Sequence, residues 1–348
     1  MFRSKRIKGD IMNTRGKQEP DRNLALDLVR VTEAAAIASA RWLGLGQKEA
    51  GDHAAVEAMR ATFSSLDIEG RVVIGEGEKD EAPMLFNGEL LGSGHGPAMD
   101  VAVDPLEGTN LLAMGRPNAI AVVALAPRGA FFDPKPGFYM KKLVVPSAAR
   151  GLVDIQAPVS ETLAIVARVL GKKVKDVVVF VLEKNRHKEL IADIRKAGAR
   201  IQMHTDGDVA GAIMAASPDS EVDMLMGTGG TPEGVLAAAA MRILGAEIQG
   251  MLDPQSKAEL ASLEREGVDL GRVLQTNDLV SSDDIFFAAT GVSGGTFLPG
   301  VEFQGHGGAV TTSLVMRGKT GTIRNIRSMH SLEKLRRFSI VDYDKAAD

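Results

Sequence analysis

Between residues 157 and 244 the chain alternates between two hydrophobic rhythms, and this alternation narrows the available folds more than any other feature. Glu161–Leu170 repeats apolar residues at helical spacing. Asp176–Leu182 then carries the unbroken run Val-Val-Val-Phe-Val-Leu, which is strand length and rich in β-branched residues. His187–Lys196 reads as a helix, Arg200–His204 as a strand, Val209–Ala216 as a helix, Val222–Met226 as a strand and Pro232–Leu244 as a helix. A β-α-β-α order of this kind predicts a parallel sheet covered by helices.

The first half is less regular. Leu24, Leu28, Val31, Ala35, Ala38 and Trp42 recur at three- and four-residue steps, predicting a helix that Gly44 and Gly46 close. A second helix is expected from about Gln47 to Leu66, with Val56, Met59 and Phe63 on one face. Short strands are expected at Arg71–Gly75, Met99–Asp104 and Ala119–Leu125, and tail strands at Ile285–Ala289, Thr311–Arg317 and Thr322–Ile326. The class is therefore α/β of a mixed α+β kind. A boundary is expected near Arg150–Pro158, separating an α+β unit (21–155) from an α/β unit (156–340), with 341–348 as a tail. Residues 1–20 hold Arg3, Lys5, Arg6, Lys8, Arg15 and Lys17 against Asp10 and Glu19, without the apolar centre of a secretory signal. They read as a disordered basic leader, with Met12 an alternative start.

Composition removes several kinds of chemistry. The chain has no cysteine, so thiolate nucleophiles, disulfides and Cys-bound zinc are excluded. Its net charge of −4 supplies no field for nucleic acid or an anionic membrane. No uncharged apolar run approaches the roughly 20 residues of a membrane-spanning helix; Asn118 to Pro127 is only strand length. A cytoplasmic protein is the expectation.

Three segments carry more acid and glycine than a fold requires. In Gly75-Glu-Gly-Glu-Lys-Asp-Glu-Ala-Pro83, Glu76 follows an apolar strand between two glycines, either as part of an acidic turn or as a carboxylate aimed at a cation. In Asp100-Val-Ala-Val-Asp104-Pro-Leu-Glu107-Gly-Thr109, the strand is expected to stop at Asp104 before Pro105, and Thr109 to cap a helix start. Two acids beside such a start can hold Mg²⁺ or Mn²⁺ against a phosphate. Gly227-Thr-Gly-Gly-Thr-Pro-Glu233-Gly is expected to leave a strand and open a helix, with Thr231 as N-cap and Pro232 first in the helix. It matches neither a P-loop nor a dinucleotide loop. Glu233 there serves the helix dipole or a metal.

A phosphate monoester carries about −1.5 to −2 charges near neutral pH. One carboxylate about 5 Å from a unit negative charge costs on the order of 3 kcal/mol at an effective dielectric near 20. These acids therefore share a site with phosphate only if divalent cations lie between them.

Asp104-Pro-Leu-Glu-Gly-Thr109 resembles the signature of the lithium-sensitive, metal-dependent phosphatases, which include inositol monophosphatases and fructose-1,6-bisphosphatases. With Arg30-Val-Thr-Glu-Ala-Ala-Ala, Lys48 to Asp52, Val-Val-Ile-Gly-Glu-Gly-Glu, Asp80-Glu-Ala-Pro-Met-Leu, Tyr139-Met-Lys-Lys-Leu, Lys184-Asn-Arg-His187, Asp206-Gly-Asp208 and Gly-Gly-Thr-Pro-Glu-Gly in order, the chain resembles the bacterial class II fructose-1,6-bisphosphatases from about Leu24 to His330. The resemblance implies a layered α-β-α-β-α sugar phosphatase fold with the active site between two sub-domains. It implies metal ligands at Asp52, Glu76, Asp104, Glu107 and Glu233, with Mg²⁺ or Mn²⁺ bound. Glu107, Gly108 and Thr109 would hold the reacting phosphate, and Thr109 would orient the attacking water. Tyr139, Lys184, Arg186, Asp206, Asp208 and Gly230 match substrate-binding positions, and Lys48 lies near the first acid. The implied reaction is hydrolysis of the 1-phosphate of fructose 1,6-bisphosphate by a homodimer or homotetramer. The family's usual Lys-Pro-Arg-His is Lys184-Asn-Arg-His187 here, which keeps the basic residues. His187 is expected at a helix cap or the surface. A related substrate, such as sedoheptulose 1,7-bisphosphate or inositol monophosphate, and a non-catalytic sugar-phosphate sensor remain open.

Overall fold

The structure is a computed structural model and describes residues 23–77, 84–134, 136–305, 307–337, 341 and 343. The basic leader, the Asp80-Glu-Ala-Pro83 part of the first acidic segment and most of the 341–348 tail lie outside the described residues.

Helices α1 (Ala25–Ala40) and α2 (Lys48–Phe63) precede strands β1 (Glu69–Ile74), β2 (Leu90–Leu91), β3 (Ala98–Glu107) and β4 (Ile120–Pro127), with the one-turn helix α3 (Thr109–Ala113) after β3. The middle of the chain supplies β5 (Tyr139–Val145), α4 (Val159–Val169), β6 (Val178–Leu182), α5 (Lys188–Lys196), β7 (Arg200–His204) and α6 (Val209–Ala216). It continues through β8 (Met224–Gly230), α7 (Thr231–Leu244), β9 (Glu247–Leu252), α8 (Lys257–Arg265), β10 (Leu274–Gln275) and α9 (Thr276–Leu279). The tail forms β11 (Phe286–Gly291), β12 (Glu302–Gln304), β13 (Gly308–Arg317), β14 (Thr322–Ser331) and α10 (Leu332–Leu335).

Among the described residues these strands make two sheets. The first joins β1–β4 to β11–β14, and the second runs β10-β9-β5-β8-β6-β7. Three apolar clusters stack the layers. On the first sheet, Val101, Val103, Val123 and Leu125 face α1 and α2, where Leu28, Val31, Met59 and Phe63 are buried. On its other side Ala102, Ile120 and Val122 meet α6 and α7 through Ile213, Val235 and Leu236, which also touch Met140, Val144 and Phe180 of the second sheet. The far side of that sheet packs Val179 and Val181 against Leu163 and Val166 of α4 and Ile194 of α5. Each sheet is thus covered on both faces, and the layers run α-β-α-β-α as the resemblance implies. No helix among the described residues is long and apolar enough to cross a membrane.

Several expectations are corrected. Parallel pairing in the second sheet is confined to β6 with β7 and β8; β5 and β9 are antiparallel and were not anticipated, because lysines break the apolar pattern of β5. The chain changes sheet between β4 and β5, across the glycine- and proline-bearing stretch 128–137, and β11–β14 return to the first sheet. Pro105 does not end β3. The strand reaches Glu107, with its register against β4 shifted between Asp104 and Glu107, where a missing N–H is tolerated. Neither threonine is an N-cap: Gly108 (φ 89°) precedes Thr109, and Gly230 precedes Thr231, placing Pro232 second in α7. Gly227, Thr228, Gly229 and Gly230 are not a loop but the end of β8, paired with Lys142–Tyr139.

Candidate active site

A cavity of about 720 Å³ opens between the two sheets. Asp52, Glu76, Asp104, Glu107, Gly108, Thr109, Tyr139, Lys184, Arg186, Asp206, Asp208, Gly230 and Glu233 all line it, as does Lys48. Residues separated widely along the chain are therefore brought to one place by strand ends and helix starts.

The first sheet gives the acids. Asp104 sits at the irregularity of β3, where its Oδ1 accepts from the Leu106 N–H (3.1 Å) and turns the chain past Pro105. Glu107 is buried, and its Oε1 accepts from the Val209 N–H (2.8 Å) at the start of α6, tying the first sheet to the helices packed between the two sheets. Glu76 lies just past β1, and Asp52 comes from α2. Asn110 donates from Nδ2 to Asp206 Oδ2 (2.9 Å), a second tie across the cavity. α3 is one turn long, so its contribution at Thr109 is a pair of leading amides rather than the dipole of a long helix.

The second sheet supplies the cations and the glycine-rich end of β8. A Cβ at Gly230 would collide with the Glu233 carboxylate, and one at Gly229 with that of Asp208; bare backbone is what allows both acids to fold against β8. Lys142 Nζ is buried 2.7 Å from Asp208 Oδ2. Lys184 Nζ lies 3.7 Å from Asp206 Oδ1. Arg186 donates from Nε to the Thr228 carbonyl (2.9 Å), and its guanidinium lies 5.2 Å from the Tyr139 ring centroid. Thus its terminal nitrogens are held toward the cavity by a backbone bond and an aromatic face.

His187 is buried rather than at the surface, although it is the N-cap position of α5. Its Nε2 accepts from the Thr228 N–H (2.7 Å), so the proton is assigned to Nδ1, which donates to Leu182 O (2.6 Å). Burial pushes its pKa down. It fixes the strand end that anchors Arg186 and does not line the cavity.

Charge at the acid wall is unbalanced. Burial, then the neighbouring Asp52 and Glu233, pushes the Glu76 carboxyl up to about 8. Burial and the Asp208 charge push Glu107 to about 8 as well. Asp104 is driven well above the usual carboxylate range by burial and by Glu76, Glu107, Glu233 and Asp52. Asp52 and Glu233 are also raised, burial being the leading cause in each. Glu107 Oε2 and Glu233 Oε2 are buried without a hydrogen-bond partner. Oxygen-only donors that repel one another and keep unused lone pairs suit a hard divalent cation. Among the described residues no three of them already close on one point as a finished ligand cage; they share a wall.

Two supporting residues were not anticipated. Lys142 belongs to the inward face of β5 with Met140 and Val144, a period-two signal visible in the segment but hidden by its neighbour Lys141. Glu259 accepts from the Phe138 (2.7 Å) and Tyr139 (3.0 Å) amides and so sets the start of β5. Its signal was Ser256-Lys-Ala-Glu259, a helix-start pattern in which Ser256 caps the Glu259 N–H.

The model of bacterial, glpX-encoded fructose-1,6-bisphosphatase matches residues 22–330. "Fructose-1,6-bisphosphatase 1 class 2" of Escherichia coli K12 is 44% identical over 326 residues, covering 90% of this chain and 96% of the relative. "Fructose-1,6-bisphosphatase class 2" of Shigella flexneri matches with the same identity and coverage. With its acidic, basic and glycine motifs lining one inter-sheet cavity and the match spanning almost the whole chain, this protein belongs to the bacterial class II, glpX-encoded fructose-1,6-bisphosphatase family.

Proposed function

We propose that the cavity hydrolyses the 1-phosphate of fructose 1,6-bisphosphate, releasing fructose 6-phosphate and inorganic phosphate in the gluconeogenic direction. The observation that carries this reading is one cavity holding both a set of mutually repelling acids and the basic pair Lys184 and Arg186. Two phosphates on one sugar need both.

Asp52, Glu76, Asp104, Glu107 and Glu233 would hold Mg²⁺ or Mn²⁺, which when bound neutralises phosphoryl charge and lowers the pKa of water. The chain's own residues do the rest. Glu107, Gly108 and Thr109 receive the reacting phosphate, with the leading amides of α3 directed at its oxygens. The Thr109 hydroxyl orients the attacking water. Lys184 and Arg186 clamp the distal phosphate, Arg186 with its paired N–H groups. Tyr139, Asp206, Asp208 and the backbone at Gly230 border the sugar. Asp206 also keeps Lys184 and Asn110 in place, so the two walls hold their spacing as substrate enters. The reading includes a cytoplasmic homodimer or homotetramer.

Phosphate release is the test. Fructose 1,6-bisphosphate, sedoheptulose 1,7-bisphosphate and inositol monophosphate would be compared with Mg²⁺, with Mn²⁺ and with chelator. Turnover should be highest on the first and vanish on chelation. Negligible release from fructose 1,6-bisphosphate removes the substrate assignment; binding of sugar phosphates with no release from any marks a sensor.

A further inference from the structure

β14 is a ten-residue strand with no buried residue, and it pairs with β13 in unbroken register from Thr322↔Arg317 to Ser331↔Gly308. Gly308–Val310 of β13 also pair with β12, which must therefore lie on the other flank, so the outer edge of β14 meets no strand among the described residues. Natural edges are blunted by proline, lysine, bulges or short length. β14 has none of these, and its guard is Arg324 and Arg327. Its face also exposes Ile323 (47%) and Met329 (78%).

We propose that β14 pairs antiparallel with β14 of a second copy of this chain about a two-fold axis at Ile326, joining the first sheets of two subunits into one. A two-fold normal to the sheet keeps each face on its own side, so a residue opposes one an even number of positions away. That leaves few registers, and side chains choose among them. Centring on Arg327 sets this guanidinium against its own copy. Centring on Asn325 sets Ile323 against Arg327 and Ile326 against Arg324. Centring on Ile326 sets Ile326 against itself and Ile323 against Met329 of the partner subunit. The same register sets Asn325 against the partner subunit's Arg327 and Arg324 against the partner subunit's Ser328. Both exposed apolar side chains are then matched, and no charge faces a like charge. On the face that carries Ile323 and Met329, opposite to that of Arg324 and Ile326, Ile323 borders an apolar cleft formed with Phe297, Leu314 and Met316, so the partner subunit's Met329 extends an existing apolar wall.

The absence of native cysteine makes the register directly testable. Opposed Cα atoms across an antiparallel pair lie about 4.5–5.5 Å apart, inside disulfide range. Ile326→Cys should give a covalent dimer on mild oxidation of the full chain. Met329→Cys should not, because its two copies lie six positions apart along the seam, about 20 Å at 3.4 Å per residue. On the exposed side chains, Met329→Lys should weaken dimerisation about tenfold or more by sedimentation equilibrium, the two symmetric contacts both being lost. Adding Ile323→Glu should restore it, since each new acid then opposes a new ammonium. A monomer at micromolar concentration, an association indifferent to Met329→Lys, no rescue by the second substitution, or Ile326→Cys crosslinking no faster than Met329→Cys each overturns the proposal. Met329→Lys and Ile323→Glu lie on exposed positions, so they decide the question even where Ile326→Cys fails to fold.

Discussion

Glu76→Gln tests whether the acid wall is built at the expense of the fold. The Glu76 carboxyl is held at about 8 against an ordinary 4.5, burial being the first cause. Below about pH 4.5 it is protonated in both folded and unfolded chains and contributes nothing. As pH rises, the unfolded chain releases the proton first, so the folded protein loses stability through the window up to about pH 8 and then levels off. At pH 7 the loss is about 2.5 pH units' worth, on the order of 3 kcal/mol. Glutamine keeps the shape without the charge, so the variant should melt above the parent in chelator. For a chain of this length the gain is roughly 5 °C at pH 7. The assay is scanning calorimetry in EDTA from pH 4.5 to 8.5. The gap should be near zero at the acid end and widen steadily. Saturating Mg²⁺ or Mn²⁺ should close or reverse it, since the cation stabilises the parent by mass action. A gap independent of pH, or a variant less stable than the parent at pH 8 in chelator, would refute the reasoning.

Other substitutions separate roles around the same cavity. Thr109→Ala should leave the melting temperature within about 1 °C and lower kcat on the order of a hundredfold, read by phosphate release; unchanged turnover removes the threonine from the reaction. Gly230→Ala puts a methyl where the Glu233 carboxylate sits, and a displacement of about 1 Å should lower kcat/KM roughly a hundredfold while circular dichroism stays native. Lys142→Met leaves the buried Asp208 without its cation and should cost about 3 kcal/mol in urea unfolding, with Asp208→Asn in the same chain recovering part of it. Additive losses would show that the pair is not coupled.

Elements with one clean rhythm were readable in advance. α1, α2, β7 and α6 form at or within a few residues of the expected positions because their apolar residues follow a single period. β5 and β9 were not, since Lys141–Lys142 and Glu247–Gln249 interrupt the apolar run, and the buried polar groups among them, Lys142, Glu247 and Gln249, are accommodated only because partners wait in other segments. Glu247 and Gln249, for instance, bond the backbone at Gly151, Val153 and Ile155. Cap positions misled for a related reason: Gly108 and Gly230, with no side chain to offer, precede Thr109 and Thr231 because the backbone there must come close to acids or bend to positive φ. The candidate site residues reached one cavity because each stands at a strand end or helix start. That they share it is a matter of pairing across more than a hundred residues, which no local pattern carries; the ordered resemblance did.

The interruption of the first sheet by the second bears on how the protein is made. On the ribosome β4 emerges long before β11, its antiparallel neighbour, and the whole of the second sheet is synthesised in between. At roughly 5–20 residues per second that is on the order of ten to thirty seconds during which an eight-residue strand, all Ile, Val, Ala and Leu but for the terminal Pro127, has one flank unfilled. The nascent chain therefore spends its most aggregation-prone interval with β3 and β4 formed and waiting, and a holdase that shields Ile120–Pro127 would act before the carboxy-terminal strands leave the tunnel.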